Sequence, residues 1–593
     1  MKLTVAETII KCLEIEGVEY AFGISGSHYL AFFNALKNSK IKYISVKHES
    51  AAGFMALNYT KVSQKPALIM GTAGPGAMNL LNGISELYKC QIPCFVLSPL
   101  VSTNTFGKNP IQDDSGYGVT YSINNIIKNI TKKSIVLFDE SLTEHYMHEL
   151  FRFSLNPPYG PVHISIPSNY FNKETECNFS EPKRYRLIND ERIEIDKIEK
   201  VKRLFLEAEK PILIIGNRCN YPNCSEFLEK LSNEFKIPYL LTHASKGILN
   251  ENSKLFGGVL DLFGHRSSEK FIKESDLVIS FGMDFSEAET IKYDPQLLIN
   301  AKLIAFDSDT RLIGINYPIV IGIAGDLNKT ISYLYNSLKE TNFISKYDID
   351  EFNNAFNEFN KYQNQEMNEI STPLKMPAVL HELSKNIKIG KKSLVFVEQS
   401  ATGFSSVRHY HSDKYEYYTS PTGYSMGQSV SGCIGGKLAK PNLPVFCITG
   451  DGSFLINGNE MLTAAQYKLG ITWIIFKDDY LNMIEINQRI AYNGDLEFCT
   501  KIKNPEYESL AKAYHSEYFS VNTMEDLKES IKKAKKLNSE SKTVIIIINY
   551  QYEEHLPLKA RVIKTLEDMG QTHNLKSNPY LMRAFKKVLQ EKV

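Results

Sequence analysis

Residues Val445 to Phe454 read Val-Phe-Cys-Ile-Thr-Gly-Asp-Gly-Ser-Phe. The apolar run Val445 to Ile448 predicts a buried strand, and the glycines around Asp451 predict a tight turn into a helix that starts near Gly458. Glycines at such a turn let backbone approach a phosphate, and the N-terminus of the next helix favours an anion. Asp451 between them offers only acceptors, which suits a divalent cation. Taken alone, the tripeptide reads more readily as a simple tight turn. Its counterpart comes after 25 intervening residues, where the strand Thr472 to Phe476 ends in Lys477-Asp-Asp-Tyr480. One helix and one strand fill that interval. Two neighbouring parallel strands then bring Asp451 and Asp478 to one sheet edge, the edge at which open α/β sheets bind ligands. The two carboxylates can share a metal ion that bridges a diphosphate.

The same alternation runs through the whole chain. Strands are expected at Tyr43–Val46, Ala67–Met70 and Cys94–Leu97, then at Pro211–Ile215, Leu277–Ser280 and Leu303–Phe306, and finally at Leu394–Val397, Val445–Ile448, Trp473–Phe476 and Val544–Ile548. Longer amphipathic stretches such as Ala51–Val62 and Ala77–Lys89 lie between them. This pattern predicts an α/β protein of three domains, each with a mainly parallel, doubly wound sheet. Linkers around Phe171–Glu191 and Lys346–Pro373 divide the chain into 1–185, 190–345 and 370–555, with a tail at 556–593.

Composition excludes several classes. Among 593 residues, 68 Lys and Arg balance 67 Asp and Glu, so the basic excess of a nucleic-acid binder is missing. No apolar run reaches the length needed to cross a bilayer. The acidic residue at Glu7 comes too early for a signal peptide's apolar core. Nine scattered cysteines argue for a reducing, cytoplasmic setting, and Cys90 and Cys94 have no second pair with which to hold zinc.

The Gly-Asp-Gly unit with its partner about 25 residues on resembles the motif of thiamin-diphosphate (ThDP) enzymes. That motif closes its second strand with Asn, where this chain has Asp478. Asp remains a competent ligand for Mg²⁺ but adds negative charge beside the diphosphate. The resemblance implies a third metal ligand, the backbone carbonyl of Tyr480. It extends to the first block, where His48-Glu-Ser-Ala-Ala52 and Gly71-Thr-Ala-Gly-Pro-Gly76 with Asn79 are similar to segments of the acetolactate synthase group. Glu49 is then the carboxylate that protonates the cofactor, and Thr72, Gly74, Pro75 and Asn79 line its pyrimidine. Thr422-Gly-Tyr-Ser-Met-Gly427 resembles the turn whose Met wedges the cofactor into a bent shape, which assigns Met426 to that role and the carbonyl of Tyr424 to the aminopyrimidine. The resemblance also assigns Gly26, Ser400, Ala401, Gly450, Gly452, Ser453 and Met483 to cofactor binding.

What the resemblance implies about activity is a 2-oxo acid donor, loss of CO₂ and transfer of the acyl carbanion to a carbonyl acceptor. Glu49 and the diphosphate site belong to different subunits in this family, so a homo-oligomer with interfacial sites is expected. The loop Gly107–Asp113 resembles the family's Gly-x-x-x-Phe-Gln-Glu segment and makes Gln112 a candidate catalytic residue. Aldehyde-releasing decarboxylases carry a His pair near here, whereas this chain has Ile111, Gln112 and Asp113, which favours carboligation. Asp114–Asn125 is longer than in acetolactate synthases, reshaping the acceptor pocket or merely adding surface. Leu481–Gln488 is more similar to flavin-free catabolic acetolactate synthases than to biosynthetic ones. It places Glu485 where an acceptor-selecting Arg is usual, so a neutral acceptor is expected if Glu485 faces the pocket. Gly216-Asn-Arg-Cys219 lacks the glycine-rich turn of flavin-binding relatives, which speaks against FAD. A non-oxidative decarboxylase, a FAD-dependent oxidase and a catalytically silent binding subunit remain the alternatives.

Overall fold

The computed structural model describes residues 1–188, 193–390, 392–420, 422–491 and 498–551; the expected tail from residue 556 lies outside them. Strand β1 (Lys2–Thr4) opens the chain. It is followed by β2 (Tyr20–Gly23), β3 (Lys42–Ser45), β4 (Ala67–Met70), β5 (Cys94–Leu100), β6 (Ser134–Val136) and β7 (Pro161–Pro167). All but β1 form one parallel sheet, in the order β3-β2-β4-β5-β7-β6. The stretch expected as linker contributes β8 (Glu174–Glu176), which pairs antiparallel with β1 and ties the chain's start to the end of this domain.

The second sheet comprises β9 (Pro211–Ile215), β10 (Tyr239–Thr242), β11 (Phe256–Leu260), β12 (Leu277–Phe281), β13 (Lys302–Asp307) and β14 (Ile321–Ala324). It is parallel throughout, in the order β11-β10-β9-β12-β13-β14. The second expected linker holds two helices, Ile349–Phe359 and Lys361–Asn368.

The third sheet contains β15 (Leu374–Lys375), β16 (Leu394–Val397), β17 (Tyr417–Tyr418), β18 (Val445–Gly450), β19 (Ile471–Lys477), β20 (Glu517–Val521) and β21 (Val544–Gln551). Its order is β15-β21-β19-β18-β16-β17, with β20 beside β21. Apart from the short β15, this repeats the first sheet: second strand, first, third, fourth, sixth, fifth. Strands such as β9 and β19 are apolar almost throughout because helices cover both faces of each sheet.

The order of each sheet fixes where a ligand fits. In the first and third sheets the order reverses between β2 and β4 and between β16 and β18. In the second it reverses between β9 and β12. Connections leave such a point in opposite directions and open a crevice beyond the carboxyl ends of the strands.

The first and third domains share a helix seam. Glu49–Ser63 packs along Gln428–Ala439, and every residue of the former except Ser63 is buried. The approach is close enough that a Cβ on Gly435 would lie 1.9 Å from the Met55 carbonyl oxygen, so only glycine fits there. Trp473, the chain's single tryptophan, donates its indole N–H to Val430 O on the same helix at 2.9 Å. No described helix is long and apolar enough to cross a membrane.

Candidate functional site

Two clusters of side chains sit at two of these reversal points. The first lies beyond β2 and β4. Glu49 begins the helix that follows β3, capped by the His48 side chain, and is buried. Asn79 donates from Nδ2 to Glu49 Oε2 at 3.0 Å. Gly26 packs against Thr72 so tightly that a Cβ would fall 2.3 Å from Oγ1. Gly74 has φ +68°, a conformation that favours glycine, and Pro75 opens the next helix at a position that needs no backbone N–H. The Gly74 N–H donates to Asp114 Oδ2 at 2.8 Å, and the Gln112 backbone covers the other side of the turn. Burial, with a smaller contribution from Asp113, pushes Asp114 up to about 7.

The second cluster lies beyond β16 and β18. The helix after β18 begins at Asp451, seven residues before the expected start, so Gly450 is its N-cap and Gly452 its second residue. Asp451 Oδ1 accepts the Gly452 N–H at 2.8 Å. Oδ2 accepts from Asp479 N at 2.9 Å and from Asn504 Nδ2 at 2.6 Å. Asp478 Oδ1 accepts the Tyr480 N–H at 3.1 Å, and its Oδ2 takes Asn482 Nδ2 and the Tyr550 hydroxyl. Burial, followed by the charge of Asp451, raises Asp478 to about 7. Such a raised carboxyl next to a second carboxylate is the electrostatic state a divalent cation relieves.

These carboxylates share a cavity of about 230 Å³ with Ser400, Ala401, Tyr424, Met426, Gly450, Gly452, Ser453, Tyr480 and Met483. Ser400 caps the helix Ala401–His409 by accepting the Gly403 N–H. Gln399, buried in the same wall, has an amide oxygen with no partner among the described residues. Tyr424 holds φ +58°, an uncommon conformation for a bulky residue. Carboxylates and helix N-terminus fit a metal-bound diphosphate, and the unmet amide oxygen suits a cation or an N–H donor rather than the diphosphate itself.

The two clusters do not meet within one chain: no residue of the first lines the cavity of the second. The condition attached to Glu485, that it face the pocket, is not met. Met483 and Asn487, one helical turn apart on Asn482–Ala491, line a second and larger cavity, whereas the buried Glu485 between them lines neither. Two residues along a helix is a rotation of about 200°, which turns 485 away when 483 and 487 face in. Sequence reading also missed Asn504, Tyr550 and Asp114, whose contacts span 53, 72 and 40 residues with no local pattern to mark them. His28, 3.5 Å from Thr72 Oγ1 in the first cluster, was likewise not singled out.

The geometry agrees with known proteins. Residues 3–119 match the thiamine pyrophosphate enzyme N-terminal TPP binding domain, 198–334 the central domain, and 401–548 the C-terminal TPP binding domain. The chain is thus a ThDP-dependent enzyme, and within that class it is acetolactate synthase-like. It is 27% identical over 572 residues to the acetolactate synthase large subunit of Haemophilus influenzae, covering 94% of this chain and 97% of that protein. A probable acetolactate synthase large subunit of Methanococcus aeolicus is 28% identical, with 89% of each chain covered. The acetolactate synthase large subunit of Cyanidium caldarium is 27% identical over 97% of this chain and 98% of its own.

Proposed function

We propose that the enzyme decarboxylates a 2-oxo acid and joins the acyl carbanion to a carbonyl acceptor. Bound ThDP supplies the electron sink for that carbanion. In this reading Asp451, Asp478 and the carbonyl of Tyr480 hold Mg²⁺, and the helix starting at Asp451 binds the diphosphate. Glu49, oriented by Asn79, would hold a proton at the pyrimidine ring, and Met426 and Tyr424 would contact the cofactor from the cavity wall. Gln112 orients the acceptor carbonyl. The separation of the Glu49 cluster from the diphosphate cavity supports a homo-oligomer, in which Glu49 of one subunit serves the cavity of another.

The observation that carries carboligation is the loop over Gly74. It presents Gln112 and Asp114 and has no histidine between Gly107 and Asn125. Without a His pair, this loop lacks the proton donors that would favour release of a free aldehyde over transfer to an acceptor. The central domain supports a flavin-free enzyme. Its reversal point between β9 and β12 is filled by Arg218, which donates to Asp307 at 2.6–3.0 Å, to Met283 O at 2.6 Å and to Asp284. Carboxylates that already hold a guanidinium there do not suit a dinucleotide's diphosphate.

The test is product analysis. Purified enzyme with ThDP, Mg²⁺ and pyruvate, with and without aldehyde acceptors, should yield C–C-bonded products faster than free acetaldehyde. Acetaldehyde as the main product with every acceptor overturns the reading.

A further inference from the structure

A cavity of about 870 Å³ lies at the carboxyl ends of the central sheet and plays no part in the steps above. It meets the diphosphate cavity at Tyr424 and Met483, which line both. Its size suits an organic ligand rather than a few waters. The crevice directly between β9 and β12 is closed by Arg218, so a ligand must sit outside it, against the loops after β10, β12 and β13.

The walls differ along its length. Asp261, Glu287 and Glu289 line it within electrostatic reach of the Tyr424 hydroxyl. His243 lines it too, is only 1% exposed, and among the described residues neither ring nitrogen has a hydrogen-bond partner. Burial keeps that imidazole neutral, so it offers one donor and one acceptor to whatever enters. Burial, and then Asp284, push Glu289 up to about 8, which leaves its carboxyl able to donate at neutral pH. Lys89, Lys132 and Arg311 line the remaining wall, where the Arg311 side chain is 71% exposed and marks the mouth. Asp309 pairs with Arg311 at 2.6 and 2.9 Å and lies within charge reach of Lys132, whose amine burial lowers to about 8, so at this end one carboxylate faces three basic side chains, Lys89, Lys132 and Arg311.

We propose that this cavity holds the carbonyl acceptor and selects a polyhydroxylated aldehyde or ketone bearing a phosphate group. The hydroxyls meet His243, Asp261 and Glu289, and the phosphate meets Lys89, Lys132 and Arg311. The assignment rests on the carboligase reading and names the acceptor class for it. The acyl carbanion left by loss of CO₂ adds to the acceptor's carbonyl carbon. The C=O π pair moves to oxygen, which takes one proton, and CO₂ is the only group lost. No oxidant or reductant is needed.

The test is calorimetric titration of the enzyme loaded with ThDP and Mg²⁺, without a 2-oxo acid. The probes are D-erythrose 4-phosphate and D-fructose 6-phosphate, each against its parent sugar and inorganic phosphate. At least one ester should bind tenfold or more tighter than its parent and than phosphate. Lys132→Met should cut that advantage about tenfold with parent-sugar affinity unchanged, and Lys89→Met is the second variant should the first misfold. The preferred ester, supplied with pyruvate, should appear in the ligated product. Equal binding of ester and parent, an advantage that survives both variants, or an ester that binds but is never ligated overturns the assignment. Ligation of acetaldehyde without selective ester binding refutes this proposal alone. Free acetaldehyde with every acceptor refutes the carboligase reading beneath it.

Discussion

Asn79 Nδ2 sits 3.0 Å from Glu49 Oε2, joining the first residue of one helix to the end of another. An amide that donates to one carboxylate oxygen fixes which oxygen remains for a ligand. The pair therefore acts together, with Glu49 as the working group and Asn79 as its positioning residue.

Glu49→Gln should keep ThDP bound and lower turnover by on the order of 10²–10⁴, the usual worth of a positioned proton-transfer group. Exchange of the thiazolium C2 proton on the bound cofactor is the direct measurement. Asn79→Ala should slow the same exchange by about 10–100-fold, the equivalent of a lost hydrogen bond to a charged group. Wild-type exchange in Glu49→Gln would remove that residue from its role.

Asp451→Ala should abolish Mg²⁺-dependent ThDP binding, because both of its oxygens organise the metal loop. Asp478→Asn should bind the cofactor at least as well as wild type, since it removes one of two adjacent negative charges. Tyr550→Phe frees Asp478 Oδ2 of one donor and should weaken cofactor binding less than Asp451→Ala. ThDP titration at fixed Mg²⁺ ranks the three.

Glu485→Ala should leave the ratio of acceptors used unchanged, because the side chain lines neither cavity. A shift toward pyruvate as acceptor, seen in competition assays, would restore Glu485 as a selecting charge.

Asp114 gives the fold a pH dependence of definite sign. Its folded value of about 7 lies above the unfolded value near 4. The folded state holds this proton more tightly, so the contribution to stability is complete below about pH 4 and is lost as pH rises toward 7. Asp114→Asn keeps an acceptor for the Gly74 N–H and cannot ionise. Its Tm should fall less than that of wild type between pH 5 and 7.5, and parallel curves would contradict the assignment.

The strand pattern was legible because apolar runs such as Pro211–Ile215 and Leu394–Val397 are buried on both faces and bounded by polar turns. Asp451 and Asp478 were legible for a related reason: one helix and one strand between them forces adjacency, and β18 pairs with β19 in register. Helix starts were harder. Asp451 begins its helix directly because its side chain bonds the Gly452 N–H, a local contact that hydrophobic periodicity does not register. The direction of Glu485 was not legible either, since one helix in isolation does not reveal which side meets the cavity. Contacts such as Tyr550 to Asp478 and Asn504 to Asp451 exist only after the third sheet has closed. The strand order shared by the first and third sheets was also invisible, because sequence gives the strands but not their neighbours.

The seam between Glu49–Ser63 and Gln428–Ala439 bears on how such a chain can be taken apart. A helix buried on nearly every side belongs to the core of both domains it joins, although Glu49 and Gly435 stand 386 positions apart along the chain.

 Cutting the chain between these domains would expose the small-residue face of Gln428–Ala439 and the whole of Glu49–Ser63 to water. Neither half should then survive as a soluble fragment. Gene fusions or exchanges that separate them should fail, whereas swaps that carry both together, with the central domain replaced between them, preserve the seam. The two outer domains are in this sense a single heritable unit that happens to be written in two places.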